Sequence, residues 1–202
     1  MESLKLNKGA ALVVVAHPDD ETIWMGGTIL QNRNLQWTIF SLCRASDKDR
    51  APKFKKVASE FYKAKGVITD LEDEGILNVK ESVPIIKNII KKELKKKNFS
   101  YIFTHGENGE YGHPRHRGVH YAVAELISEN KLVAGKFFNF AYKLDKKKNS
   151  GASAKNAGLQ SWLSAGIFKT KEKIINSAYG FGKDSFEFKS LSPVETFREI
   201  IK

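Results

Sequence analysis

Cysteine is nearly absent. The 202 residues include one, Cys43, which excludes an internal disulfide and any cysteine-based zinc finger. A metal, if bound, must sit on His, Asp or Glu. Proline (5) and glycine (15) are also sparse, unlike collagenous or low-complexity chains. With 41% apolar and 28% charged residues, the chain reads as one globular domain over residues 1–202, able to bury about 70% of its unfolded surface. Long apolar runs are missing too. The longest, Ala10 to Ala16, falls well short of the roughly 20 residues that cross a bilayer, so no transmembrane segment is expected. Acidic residues follow that run at once, where a signal peptide would place a small-residue cleavage site, and a soluble, cytoplasmic protein is the expectation. There is no Gly-x-Ser-x-Gly elbow, so serine hydrolase chemistry has no support.

Negative charge is in short supply: 34 Lys and Arg against 23 Asp and Glu leave a net charge of +11. A basic field attracts nucleic acid, anionic lipid or an acidic small substrate alike. Much of the excess sits on Lys87, Lys91, Lys92, Lys95, Lys96 and Lys97, interleaved with Ile86, Ile89, Ile90 and Leu94 at helical spacing. No aromatic that could stack a base lies among them, so this stretch reads as the solvated face of a packed helix, and no nucleic acid partner is expected.

What is present is an alternation of strand and helix periods. Strands are predicted at Ala10 to Ala16, Leu35 to Leu42, Val67 to Thr69, Phe99 to Thr104 and Lys136 to Tyr142. Helices are predicted at Glu21 to Gln31, from Pro52 through Tyr62, at Val83 to Lys96, at His116 to Glu129 and at Lys171 to Ala178, with a short terminal helix at Thr196 to Ile201. Lys143 to Gly158 reads as an irregular loop. The pattern predicts a single-domain α/β fold with a mainly parallel sheet flanked by helices.

In such folds ligands bind beyond the carboxyl ends of the strands. After the first strand come His17, Pro18, Asp19, Asp20 and Glu21, where a nucleotide-binding fold would carry glycines. Three consecutive carboxylates repel phosphate and suit a cation. His17 and a nearby Asp offer one nitrogen and one oxygen ligand. The other histidines, His105, His113, His116 and His120, all fall between residues 105 and 120, after another strand, so two distant turns can meet over one metal ion. Each residue also has a plainer reading. Asp19 or Asp20 can cap the following helix. His105 fits a structural hydrogen-bonder, His120 a supporting or surface residue, and Cys43 a small buried hydrophobe.

Ala16-His17-Pro18-Asp19-Asp20-Glu21, followed by Gly26-Gly27, resembles the first motif of the PIG-L/LmbE-like zinc-dependent de-N-acetylases. His113-Pro114-Arg115-His116 looks like that family's second motif, an HPDH-type segment at the head of a helix. The resemblance implies a Rossmann-like sandwich, and a Zn2+ ion, or another divalent metal, held by His17, Asp20 and His116. It implies Asp19 as general base and His113 as the group that stabilises the oxyanion or protonates the departing amine. It also implies an N-acetylated sugar such as N-acetylglucosamine, or a glycoconjugate, as substrate. Arg115 stands where the family commonly has Asp beside the first histidine. Either it points outward to an anionic substrate, or another carboxylate, Glu107 or Glu110, takes over the missing role. Arg44 and Arg50 are candidate substrate contacts that also fit as solvated loop residues. A basic binding module for nucleic acid or anionic lipid on the same scaffold is the alternative reading, and the Asp19-Asp20 pair argues against it. Hydrolysis of a non-sugar amide is a third. Self-association, as a homo-oligomer, is left open by the sequence.

Overall fold

In a computed structural model, which describes residues 1–200, the valine-rich run forms strand β2 (Ala10–Val15), near the middle of an eight-stranded sheet. Every side chain from Ala11 to Ala16 is buried because both faces of the sheet are covered. Ala11, Val13 and Val15 face one core and Leu12, Val14 and Ala16 the other, the period-two alternation of a strand. Around β2, strands β3 (Gln36–Cys43), β4 (Lys65–Leu71), β5 (Asn98–Thr104) and β6 (Val133–Phe140) run parallel to it in the order β6-β5-β2-β3-β4. The expected mainly parallel α/β sheet is present.

One face carries α1 (Asp20–Gln31), α2 (Arg50–Lys56), which widens into a π turn at Val57–Phe61, and α6 (Ala165–Lys173), which does the same at Ile174–Tyr179. The other carries α3 (Val79–Glu93) and α5 (Pro114–Ser128). Helix α3 starts four residues earlier than its apolar stripe suggested. Asn78 accepts from the Glu81 amide while Glu81 accepts from the Asn78 amide, a reciprocal cap that satisfies two free helix-end donors. Its lysines lie on the outer face, as expected. Helix α6 likewise starts before its predicted limit, at the Ser164 cap.

Two expectations fail. Thr196 to Ile200 is not helical but belongs to strand β10 (Val194–Ile200), antiparallel to β6; Ile201 lies outside the described residues. The deciding feature is pairing: Phe197, Arg198, Glu199 and Ile200 lie opposite Phe140, Asn139, Phe138 and Phe137 of β6, an interaction between segments distant in sequence. Lys143 to Gly158 is not an irregular loop either. Strand β7 (Tyr142–Asp145) pairs with β8 (Ser150–Ser153) in a hairpin. Short strands β1 (Glu2–Ser3) and β9 (Leu159–Trp162) complete the sheet edge beyond β10, and short helices α4 (Gly109–Gly112) and α7 (Phe186–Lys189) flank the crevice.

Glu195 explains an irregularity in α1. Met25 departs from helical geometry (φ −150°, ψ 16°), which frees backbone donors in the next turn. The Glu195 carboxylate accepts from the Gly27 and Thr28 amides at 2.8 and 2.7 Å and from Lys171 at 2.7 Å. The bend is thereby fixed, and the start of α1 is set over the ends of the strands.

Candidate metal centre

The crevice opens where β2, β3, β4 and β5 end. Helix α1 begins at Asp20, directly after the turn His17-Pro18-Asp19, while His113 caps α5 and Pro114 occupies its first position. These two helix starts face each other. His17 Nδ1 lies 3.2 Å from Asp20 Oδ2, His116 Nε2 lies 3.3 Å from His17 Nδ1, and His116 Nε2 lies 3.4 Å from Asp20 Oδ2. Bonds of about 2.0–2.1 Å to a tetrahedral zinc place neighbouring ligand atoms about 3.3 Å apart. The three atoms are therefore spaced as one face of such a coordination shell would require. The donor set, two imidazoles and a carboxylate, suits zinc and its divalent neighbours.

Each donor is oriented from behind. His17 Nε2 donates to Asp73 Oδ1 at 2.9 Å, which turns the Nδ1 lone pair inward. His116 Nδ1 donates to Glu110 Oε2 at 2.7 Å, leaving Nε2 for the site. The same carboxylate oxygen accepts from His105 Nδ1 at 2.7 Å, and Glu110 Oε1 accepts from the Gly106 amide at 2.7 Å. His105 Nε2 in turn accepts from the Ala16 amide at 3.0 Å, stitching the two ligand-bearing turns together. Asp20 Oδ1 accepts from Trp24 Nε1 one helical turn on, and its Oδ2 accepts from the His17 amide at 2.8 Å.

The electrostatics match a place built for a cation. Burial alone would raise Asp20, but His116, His105 and His17 hold its carboxyl well below the usual range. Burial likewise opposes the charged form of His17, yet Asp20 and Asp73 outweigh it and raise the imidazole to about 10, so a metal competes with a proton at Nδ1. Burial lowers His116.

Asp19 is distinct from its neighbour. Burial and the adjacent Asp20 push its carboxyl up, partly opposed by Arg50, whose Nη1 donates to Asp19 Oδ2 at 2.5 Å. Its backbone is left-handed (φ 112°, ψ −30°), a strain on the order of 1–3 kcal/mol for a non-glycine residue. His113 accepts from the Arg115 amide at Nδ1 (3.2 Å), which leaves Nε2 to carry the proton. Burial, together with His116 and His17, lowers it to about 4, so near neutral pH it is an uncharged donor.

The arginines do not behave alike. Arg115 is not directed to an anionic substrate: it is 3% exposed, and its Nη2 donates to Glu72 Oε2 at 2.9 Å and to the Leu77 carbonyl at 3.2 Å. Nor does Glu107 or Glu110 replace the missing carboxylate at His113. Glu110 serves His105 and His116, and Glu107 meets Tyr121. Arg44 pairs with Asp73 and Arg50 with Asp19, both at the crevice wall. His120 donates to the His105 carbonyl, and Cys43 is a buried thiol, as expected of each. Sequence reasoning missed Asp73. The signal was the acidic run at 70–74, placed just beyond the predicted strand at Val67 to Thr69. The open space above the three donors is about 280 Å³, walled by Ile23, Trp24, Tyr111 and Phe186 with Asp47 and Glu187.

Among solved structures, the chain is similar to the 4-carboxy-2-hydroxymuconate hydratase GalB of Pseudomonas putida (TM-score 0.68, 12% identity, 96% of each chain). It is also similar to the N,N'-diacetylchitobiose deacetylase of Pyrococcus horikoshii (TM-score 0.66, 16% identity, 95% of this chain and 83% of that one). At such identities these likenesses establish the fold alone. An uncharacterised protein of Acanthamoeba polyphaga mimivirus is 26% identical over 139 residues, covering 61% of this chain and 60% of the relative's length. Residues 12–127, which carry both turns and all three donors, match the model of the GlcNAc-PI de-N-acetylases. This chain belongs to the PIG-L, GlcNAc-PI de-N-acetylase family.

Proposed function

We propose that the protein is a metal-dependent hydrolase that removes the N-acetyl group from an amino sugar or glycoconjugate. The observation that carries this reading is the triangle of His17 Nδ1, Asp20 Oδ2 and His116 Nε2, 3.2–3.4 Å on a side, with a second carboxylate, Asp19, in the same crevice. A divalent ion held by these three, zinc in the reading the family supports, would acidify a water and polarise the acetamide carbonyl. Asp19 accepts the proton of the attacking water as its oxygen adds to the carbonyl carbon. Its raised pKa suits a base that must later give the proton back. His113 donates from Nε2 to the developing oxyanion, and being neutral it does so without competing for the cation. Asp19 then protonates the amine nitrogen, the C–N bond breaks, and acetate and a free amine leave. Arg44 and Arg50, at the crevice wall, are placed to meet sugar hydroxyls or an acidic substituent.

The test is metal content and acetate release with a panel of N-acetylated sugars. Asp19→Asn is expected to retain the metal and lose about 100-fold or more in kcat. His116→Ala is expected to lose the metal and turnover together. Wild-type metal content and rate in both variants would refute the site.

A further inference from the structure

The family match ends at residue 127, yet the side chain network behind Asp19 does not. Glu21 is 1% exposed and makes no contact with the three donor atoms; it faces backward. Its Oε2 accepts from the backbone amide of Asp19 at 3.0 Å, and its Oε1 accepts from Thr22 Oγ1 at 2.6 Å and from Tyr179 Oη at 2.7 Å. Tyr179 closes the π turn after α6 and is 2% exposed. Lys53 ties its carbonyl to α2 at 2.9 Å. Two residues on, the Phe181 ring lies 4.5 Å beneath the guanidinium of Arg50, the same group that binds the Asp19 carboxylate. The C-terminal segment thus grips Asp19 at both its amide and its carboxylate.

We propose that Glu21 and Tyr179 are positioning residues for catalysis: Tyr179, acting through Glu21, holds the Asp19 backbone in its left-handed conformation and so keeps the carboxylate turned into the crevice. The inference rests on the reading of Asp19 as general base. Asp at φ 112° relaxes unless its surroundings fix it, and the Asp19 amide has Glu21 as its acceptor. The helix cannot supply that acceptor, since Asp19 precedes its first turn. Thr22, held in turn by Tyr62 Oη at 2.6 Å, completes the support from α2's side.

The experiment compares kcat, KM and zinc affinity on an N-acetylated amino sugar for wild type, Glu21→Leu, Glu21→Gln and Tyr179→Phe, with crystal structures of the variants. Glu21→Leu removes the acceptor and is expected to lower kcat about 100-fold, and Tyr179→Phe about five- to tenfold, with KM and zinc affinity unchanged. Glu21→Gln keeps an acceptor for the Asp19 amide and is expected to recover kcat to within about threefold of wild type. Asp19 leaves its left-handed conformation in the Glu21→Leu crystal structure. Wild-type kcat in both Glu21→Leu and Tyr179→Phe, or a loss of zinc affinity matching the loss of kcat, overturns the proposal. Should Glu21→Leu fail to fold, an unchanged kcat in Tyr179→Phe overturns it alone. Should the wild type release no acetate from any substrate, the deacetylase reading fails, while the Asp19 conformation in the variants still decides the positioning.

Discussion

Replacing Glu110 by Gln isolates the support behind the proposed ligand His116, because Glu110 hydrogen-bonds two histidines from a fully buried position. Its Oε2 accepts from both His105 and His116, and Oε1 from the Gly106 amide, all at 2.7 Å, with the side chain fully buried. A glutamine has one acceptor oxygen. If it serves the two imidazoles, its NH2 confronts the Gly106 N–H; if it is reversed, the NH2 confronts two imidazole donors. One arrangement leaves a buried donor unpaired, and the other also turns His116 to the wrong tautomer. Loss of such a carboxylate partner costs about 10–100-fold in metal affinity, equivalent to about 1.4–2.7 kcal/mol. The assay is zinc competition against a chromophoric chelator at pH 7.5. Zinc affinity within twofold of wild type would refute the claim that Glu110 orients His116.

Further predictions follow from other buried groups. Despite burial, His105 and His116 hold Glu110 down at about 2, so between that pH and the ordinary carboxylate range the unfolded chain binds more protons; stability is lost as the pH is lowered through that window, and Glu110→Gln should flatten this acid limb in urea titrations of the metal-free protein. Lys171→Met leaves Glu195 without its cation in a fully buried site, and urea unfolding should register a loss of about 3–5 kcal/mol. Arg115→Ala should lower the melting temperature but leave KM unchanged, because its guanidinium clamps Glu72 and Leu77 rather than facing substrate; a raised KM with normal stability would contradict that placement.

The parallel core was legible because its strands are buried on both faces and read as continuous apolar runs. The edge was not. In β10, Glu195 occupies a core position with Lys171 as its partner, which breaks the apolar pattern, and the residual stripe mimics a helix. The hairpin pairs Tyr-Lys-Leu-Asp of β7 with Ser-Gly-Ala-Ser of β8, and the weak strand character of the second comes from that pairing and from packing against α7. At the site, residue type and strand-end placement pointed to His17, a nearby Asp and the histidines between 105 and 120, and the resemblance to the family's two motifs narrowed these to His17, Asp20 and His116. Their partners did not emerge, because Asp73 sits in the loop after β4 and Glu110 in the short helix α4, segments whose course depends on the tertiary fold. Arg115 shows the same limit: in sequence it stands two residues from His113, but its partner in space is Glu72, 43 residues away.

The central claim is that one divalent ion is shared by His17, Asp20 and His116. Anomalous diffraction at the zinc edge, from crystals of the protein grown with zinc, tests it most directly. A shared ion gives a peak about 2.1 Å from His17 Nδ1, Asp20 Oδ2 and His116 Nε2. A zinc-loaded crystal whose anomalous peak lies elsewhere, with these three atoms bonded only to one another, would contradict it.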